Sequence, residues 1–114
     1  MGKLATPILR EVDQLRQAGL TEDEIAKGTG AARSTARAWL AGTRSPSGER
    51  SDRLIELAAI VERLEMLMDP DYVPIWLRKP VPALDYAKPI ELIGAGEYMS
   101  VARVISGLEG QIAA

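Results

Sequence analysis

Apolar residues along the chain recur at helical spacing and are punctuated by Gly, Pro and capping residues, so the pattern predicts an all-α protein with no strand and no repeat. A first helix is expected from about Thr6 to Ala18. Thr6 serves as N-cap, Pro7 takes the first helical position, Ile8, Leu9, Val12 and Leu15 form the stripe, and Gly19 stops it. Thr21-Glu22-Asp23-Glu24 then reads as a capping box: the Thr21 hydroxyl accepts from the Glu24 amide, and the Glu24 carboxylate reaches back. Leu20 is placed to staple onto Ile25, and acids at the helix start suit its dipole. That helix is short and ends near Thr29-Gly30; a third runs from about Ala32 to Ala41 and stops at Gly42. Ile25, Ala26, Ala36, Trp39 and Leu40 are the inner residues of these two helices, with the two alanines small enough for a close, steep crossing. Helix, Gly-containing turn and helix in this order describe a helix-turn-helix.

After the turn-rich connector Thr43–Gly48, a long helix is expected over about Glu49–Met68. Its apolar residues, from Leu54 through Met68, cover more than one stripe. One face is thus available to the helix-turn-helix and another to a second element or subunit. Asp69-Pro70 ends it. Prolines 70, 74, 80, 82 and 89 then divide the chain into short helices, about Asp71–Leu77 and Pro89–Ile93, followed by Gly94-Ala95-Gly96. A last amphipathic helix, about Glu97–Leu108, turns Tyr98, Val101, Ala102, Ile105 and Leu108 inward, and Gly107 and Gly110 predict a mobile tail. The domain division expected is 1–48 for the helix-turn-helix bundle and 49–114 for a small helical domain reached through the long connecting helix.

Composition narrows the function. The 114 residues are 46% apolar, which fits a globular chain, and such a short chain has a thin stability margin that a partner or second copy would widen. There is no Cys and no His, which removes disulfides, thiolate chemistry, the commonest general base and the commonest metal ligand. The reading is therefore of a non-enzyme with no cofactor and no metal. No apolar run is long enough to span a membrane and Met1–Arg10 has no signal-peptide core, so a cytoplasmic protein is expected.

The net charge of −2 argues against nucleic acid until its distribution is read. Residues 1–50 balance to +2 and residues 51–114 to −4, while Lys27–Gly48 holds Lys27, Arg33, Arg37 and Arg44 and no acid. This local basic segment falls on the second helix of the helix-turn-helix, where outward N-terminal residues meet base edges. Arg33, Ser34, Thr35 and Arg37 are the DNA-binding candidates, with Ala38 also outward, Arg44 a phosphate contact and Lys27 a weaker one. The plain alternative for the arginines is a solubilising surface. Trp39 reads as core rather than a stacking platform. Asp52, Glu56, Glu62 and Glu65, with Arg53 and Arg63 nearby, read as a solvated face, and Gly94-Ala95-Gly96 follows no strand and gets no phosphate role.

The residues RLIELAAIVERLEMLM (53–68) and VPIWLRKPVPALDYAKPIELIGAGEYMSVARVISGL (73–108), centred on Trp76-Leu77, Pro82-Ala83-Leu84, Lys88–Leu92 and Gly96-Glu97-Tyr98, resemble the Xre/MbcA/ParS-type antitoxins. The N-terminal half resembles their Xre-like helix-turn-helix. The resemblance implies a type II toxin–antitoxin antitoxin whose C-terminal domain shields the active site of a RES-domain, NAD-consuming toxin. It also implies that the helix-turn-helix binds the operon's own promoter DNA, and that the chain forms a homodimer within a larger complex. Under it Trp76, Leu84, Leu92 and Tyr98 are fold-forming, and Arg103, Glu109 and Gln111 on the last helix and tail are the candidates for toxin contact, against the alternative of a merely frayed end. Arg78 and Lys79 fit either interface or solubility. The competing readings are a repressor whose C-terminal half only dimerises, and an interaction adaptor that no longer binds DNA.

Overall fold

The computed structural model describes residues 7–113, with side chains from 10 to 112; the Thr6 cap and the side chains of Ile8 and Leu9 lie outside the described residues. Among these residues every regular element is helical, as the spacing predicted. Helix α1 (Pro7–Gln17) buries Val12 and Leu15 and is closed by a turn through Gly19, past which the Leu20 amide donates back to the Leu15 carbonyl. Helix α2 (Glu22–Thr29) begins with the expected capping box: the Glu24 amide donates to Thr21 Oγ1 at 3.1 Å and the Thr21 amide to Glu24 Oε1 at 2.8 Å. It ends at Gly30, whose φ of 73° is the left-handed conformation that makes the turn tight. Helix α3 (Arg33–Ala41) follows α2 after three residues and buries Ala36 and Trp39.

Helix α4 (Gly48–Glu65) stops three residues short of the expected Met68. The amides of Leu67 and Met68 both fold back onto the Leu64 carbonyl, and Met66 is left exposed, so the apolar run does not carry the helix onward. Asp69 caps a single 3-10 turn, Pro70–Tyr72, which leads directly into α5 (Val73–Arg78). A second 3-10 turn, Pro82–Leu84, precedes α6 (Pro89–Gly94), and α7 (Tyr98–Ala113) completes the fold. The expected end of α7 at Leu108 is corrected: Gly107 and Gly110 stay helical, because a side chain from α4 fastens Glu109. Intrinsic propensity at the two glycines is overridden by a tertiary contact.

These helices close around one continuous set of buried residues running from Val12 of α1 to Ile105 of α7. Helix α2 packs against α3, α4 and α6, and α4 also receives α1 and α7. The α2–α6 crossing is very close. A Cβ on Gly94 would overlap the Lys27 carbonyl, and one on Gly28 would come within 3.2 Å of Ile90 Cγ1 of α6 and 2.6 Å of Leu57 Cδ2 of α4. Two glycines thus let α2 seat directly on the C-terminal half. Glu24 fastens the same junction: its second oxygen accepts from Arg78 Nη1 of α5 at 2.9 Å while its first completes the cap. Arg78, left open between interface and solubility, therefore has a partner within the chain.

Candidate functional site

Two surfaces hold the candidate residues. The first is α3 and what surrounds it. With Ala36 and Trp39 turned into the core, the helix exposes Arg33, Ser34 and Arg37 and half-buries Thr35 and Ala38. The spacing of four residues brings Arg33 and Arg37 onto one face, where both meet Glu22 at the start of α2. Arg37 donates from Nε at 3.2 Å and 3.3 Å to the two carboxylate oxygens and from Nη2 at 3.2 Å. Arg33 donates from Nε alone, at 3.4 Å. The Arg37 hydrogen bond, with the charge of both guanidiniums, holds the Glu22 carboxyl below the usual carboxylate range, and Glu22 raises Arg37 in return.

Arg44 lies beyond α3 and stands over a polar hollow of about 300 Å³ lined by Thr35, Trp39, Ser45, Pro46, Ser47 and Arg50. Arg50 was not among the sequence candidates, because Glu49 precedes it and breaks the acid-free run. It sits on the first turn of α4, with Nη2 donating to the Gly30 carbonyl at 3.3 Å. Lys27 is turned to another side of α2, paired with Asp23 at 3.3 Å. The structure therefore brings Arg33 and Arg37 together, places Arg44 and Arg50 on an adjoining hollow with Thr35, and separates Lys27 from them.

The second surface is α7. Its core face carries Val101, Ala102 and Ile105, while Arg103 and Gln111 are exposed. Glu109 is gripped by Arg63 of α4, Nε to Oε2 at 3.0 Å and Nη2 to Oε1 at 2.7 Å, and Arg63 also reaches Ser106 Oγ at 3.1 Å. The Arg63 hydrogen bond holds the Glu109 carboxyl low. Two apolar residues went unpicked in the sequence. Met99 is 58% exposed, and Ile112 is 65% exposed although it keeps the helical phase of the buried Ile105. That phase was the signal: it extends the apolar stripe past the residues that α4 covers. Trp76 and Leu84 are buried and Leu92 and Tyr98 half-buried. Among the described residues no group of carboxylates is arranged to hold a metal, and no helix is long and apolar enough to cross a membrane.

No protein-family model matches the chain. It is 30% identical over 105 residues to the mycobacterial cidal antitoxin MbcA of Mycobacterium tuberculosis and equally to that of Mycobacterium bovis, covering 92% of this chain and 90% of each relative. The chain belongs to the MbcA antitoxin family. In three dimensions it is similar to a chain in the crystal structure of the M. tuberculosis MbcT–MbcA toxin–antitoxin complex, with a TM-score of 0.78 and 29% identity over 92% of this chain and 96% of that one. The relatives carry the name of an antitoxin and not of an enzyme.

Proposed function

We propose that this chain binds and neutralises a toxin through its C-terminal half, and that α3 binds the promoter DNA of its own operon. The observation that carries the reading is the likeness, over 92% of the chain, to a solved toxin–antitoxin complex. The toxin is of the RES-domain class that consumes NAD, as the C-terminal motifs imply. We assign the toxin contact to two exposed parts of α7: Met99 with Arg103 one turn on, and Ile112 with Gln111 at its end, each an apolar residue beside a polar one. Glu109 shapes that surface by anchoring the end of the helix. On the DNA side, Arg33 and Arg37 meet base edges with Ser34 and Thr35 beside them, and Arg44 and Arg50 take phosphates. One helix-turn-helix binds DNA weakly, so a homodimer is the form we assign to the bound state.

The test is co-expression with the product of the adjacent gene. Recovery of a stable complex, and relief of that protein's toxicity, are expected. If no adjacent product is toxic and none co-purifies, the antitoxin role is lost and a promoter-binding repressor is what remains. Affinity for the upstream duplex should fall with salt by roughly 0.9 log unit per decade for each phosphate neutralised; a flat response would remove Arg44 and Arg50 as phosphate contacts.

A further inference from the structure

Arg33 and Arg37 are the exposed cations of α3, yet neither stands alone: both lean on Glu22, a residue of the preceding helix that the basic-segment reading left out. The three, with Arg16, Leu20 and Leu40, line one open hollow beside α3. An acid there is unfavourable for raw affinity, because every DNA phosphate that approaches meets a carboxylate. Its geometry is selective, however. Arg37 gives Glu22 the Nε–Nη2 edge of its guanidinium, and Arg33 gives only Nε. The two terminal nitrogens of Arg33, and Nη1 of Arg37, make no hydrogen bond among the described residues. A guanine edge presents two acceptors that the terminal nitrogens of Arg33 can meet while Nε stays on Glu22. A lone phosphate takes an arginine most strongly through a two-nitrogen fork, and for Arg37 the Nε edge of that fork is already occupied.

We infer that Glu22 is a specificity-determining positioning residue of the α3 surface, occupying the Nε edge of Arg37 that a lone phosphate would take and fixing Arg33 through Nε so that its terminal nitrogens face base edges. The inference rests on the reading of α3 as a DNA-binding helix. It also gives the single carboxylate a role that a solubilising surface would not need: two cations share one anion, so the face stays positive but is fixed in direction.

The experiment compares wild type, Glu22→Gln, and Arg33→Ala plus Arg37→Ala on two probes, the duplex upstream of the chain's own operon and a scrambled duplex of the same composition. Each is titrated over a range of salt. Glu22→Gln should bind the scrambled duplex about threefold more tightly, in line with loss of an exposed ion pair, and its salt slope on that duplex should steepen by up to roughly one. The preference for the upstream duplex should shrink accordingly. If wild type discriminates and Glu22→Gln discriminates equally, with unchanged salt slopes, the role of Glu22 is overturned and the DNA reading stands. If Glu22→Gln weakens both probes alike and melts at lower temperature, Glu22 is only a structural residue and the inference again fails. If wild type binds neither probe more tightly than the double-alanine variant, the DNA reading itself falls, and the inference with it.

Discussion

Arginine meets glutamate on both candidate surfaces, but the two arrangements differ in what they leave over. At α3 two guanidiniums share the one carboxylate of Glu22, so positive charge and terminal N–H donors remain. At α7 one guanidinium and one carboxylate, Arg63 and Glu109, match in a bidentate pair that also takes in Ser106. The first leaves donors directed outward, as recognition requires. The second is locally complete and serves to fasten a helix end. Residue type alone does not distinguish them; the stoichiometry of the pairing does.

The comparison is broken most severely by testing whether the two surfaces belong to separable units. Gly94→Val would drive side-chain atoms into the Lys27 backbone, where nothing flexible gives way. A loss on the order of 3 kcal/mol or more is expected from such overpacking against backbone. Because the core is continuous, toxin binding and DNA binding should fall together, with a single lowered melting transition. Two transitions, or loss of one function alone, would show the halves to be independent.

Arg33→Ala plus Arg37→Ala sharpens the comparison from the α3 side. Arg33 keeps both terminal nitrogens for a bidentate base contact worth about 1–3 kcal/mol, so affinity for the upstream duplex should drop by a factor on the order of ten or more while toxin capture in a pull-down is unchanged. Retained promoter affinity in a gel shift would strip α3 of its reading role.

The smallest effect belongs to the α7 clamp. Glu109→Gln should lower the melting temperature slightly and leave promoter binding alone. The sign of its pH dependence follows from the lowered carboxyl: folding holds Glu109 below its ordinary value of 4.5. The pair's contribution is therefore full above about pH 4.5 and disappears as pH falls through the lower folded value. Melts of wild type and Glu109→Gln should differ at neutral pH and converge in acid. A constant gap from neutral to acid pH would mean that the glutamate acts through packing and not through its charge.

Much of the fold is legible from neighbouring residues. Thr21 and Glu24 announce the start of α2, Gly30 and Gly42 mark the ends of α2 and α3, and the phase of Val101, Ala102 and Ile105 turns α7 inward. The misjudged ends, at α4 and α7, are where local preference competes with something distant. At α7 two glycines argue for fraying, but Glu109 is held by a residue 46 positions away. The candidate sites divide in the same way. Arg33 and Arg37 are evident as cations on an outward helix face. Glu22, 11 and 15 positions earlier, is indistinguishable in the sequence from the other acids of the α2 cap.

What the sequence alone determined is the set of helices, the capped α2 and the glycine-ended α3 among them. Helix hydrogen bonds, caps and apolar phase span only a few positions, so adjacent residues suffice to specify them. Only the tertiary structure decided that the halves share one core through Gly28 and Gly94, that Glu24 ties α2 to Arg78, and that Glu22 engages two arginines while Glu109 engages one. Those pairings depend on helix crossings whose distance and angle are set by side-chain volumes across the whole core, and no local stretch of the chain encodes them.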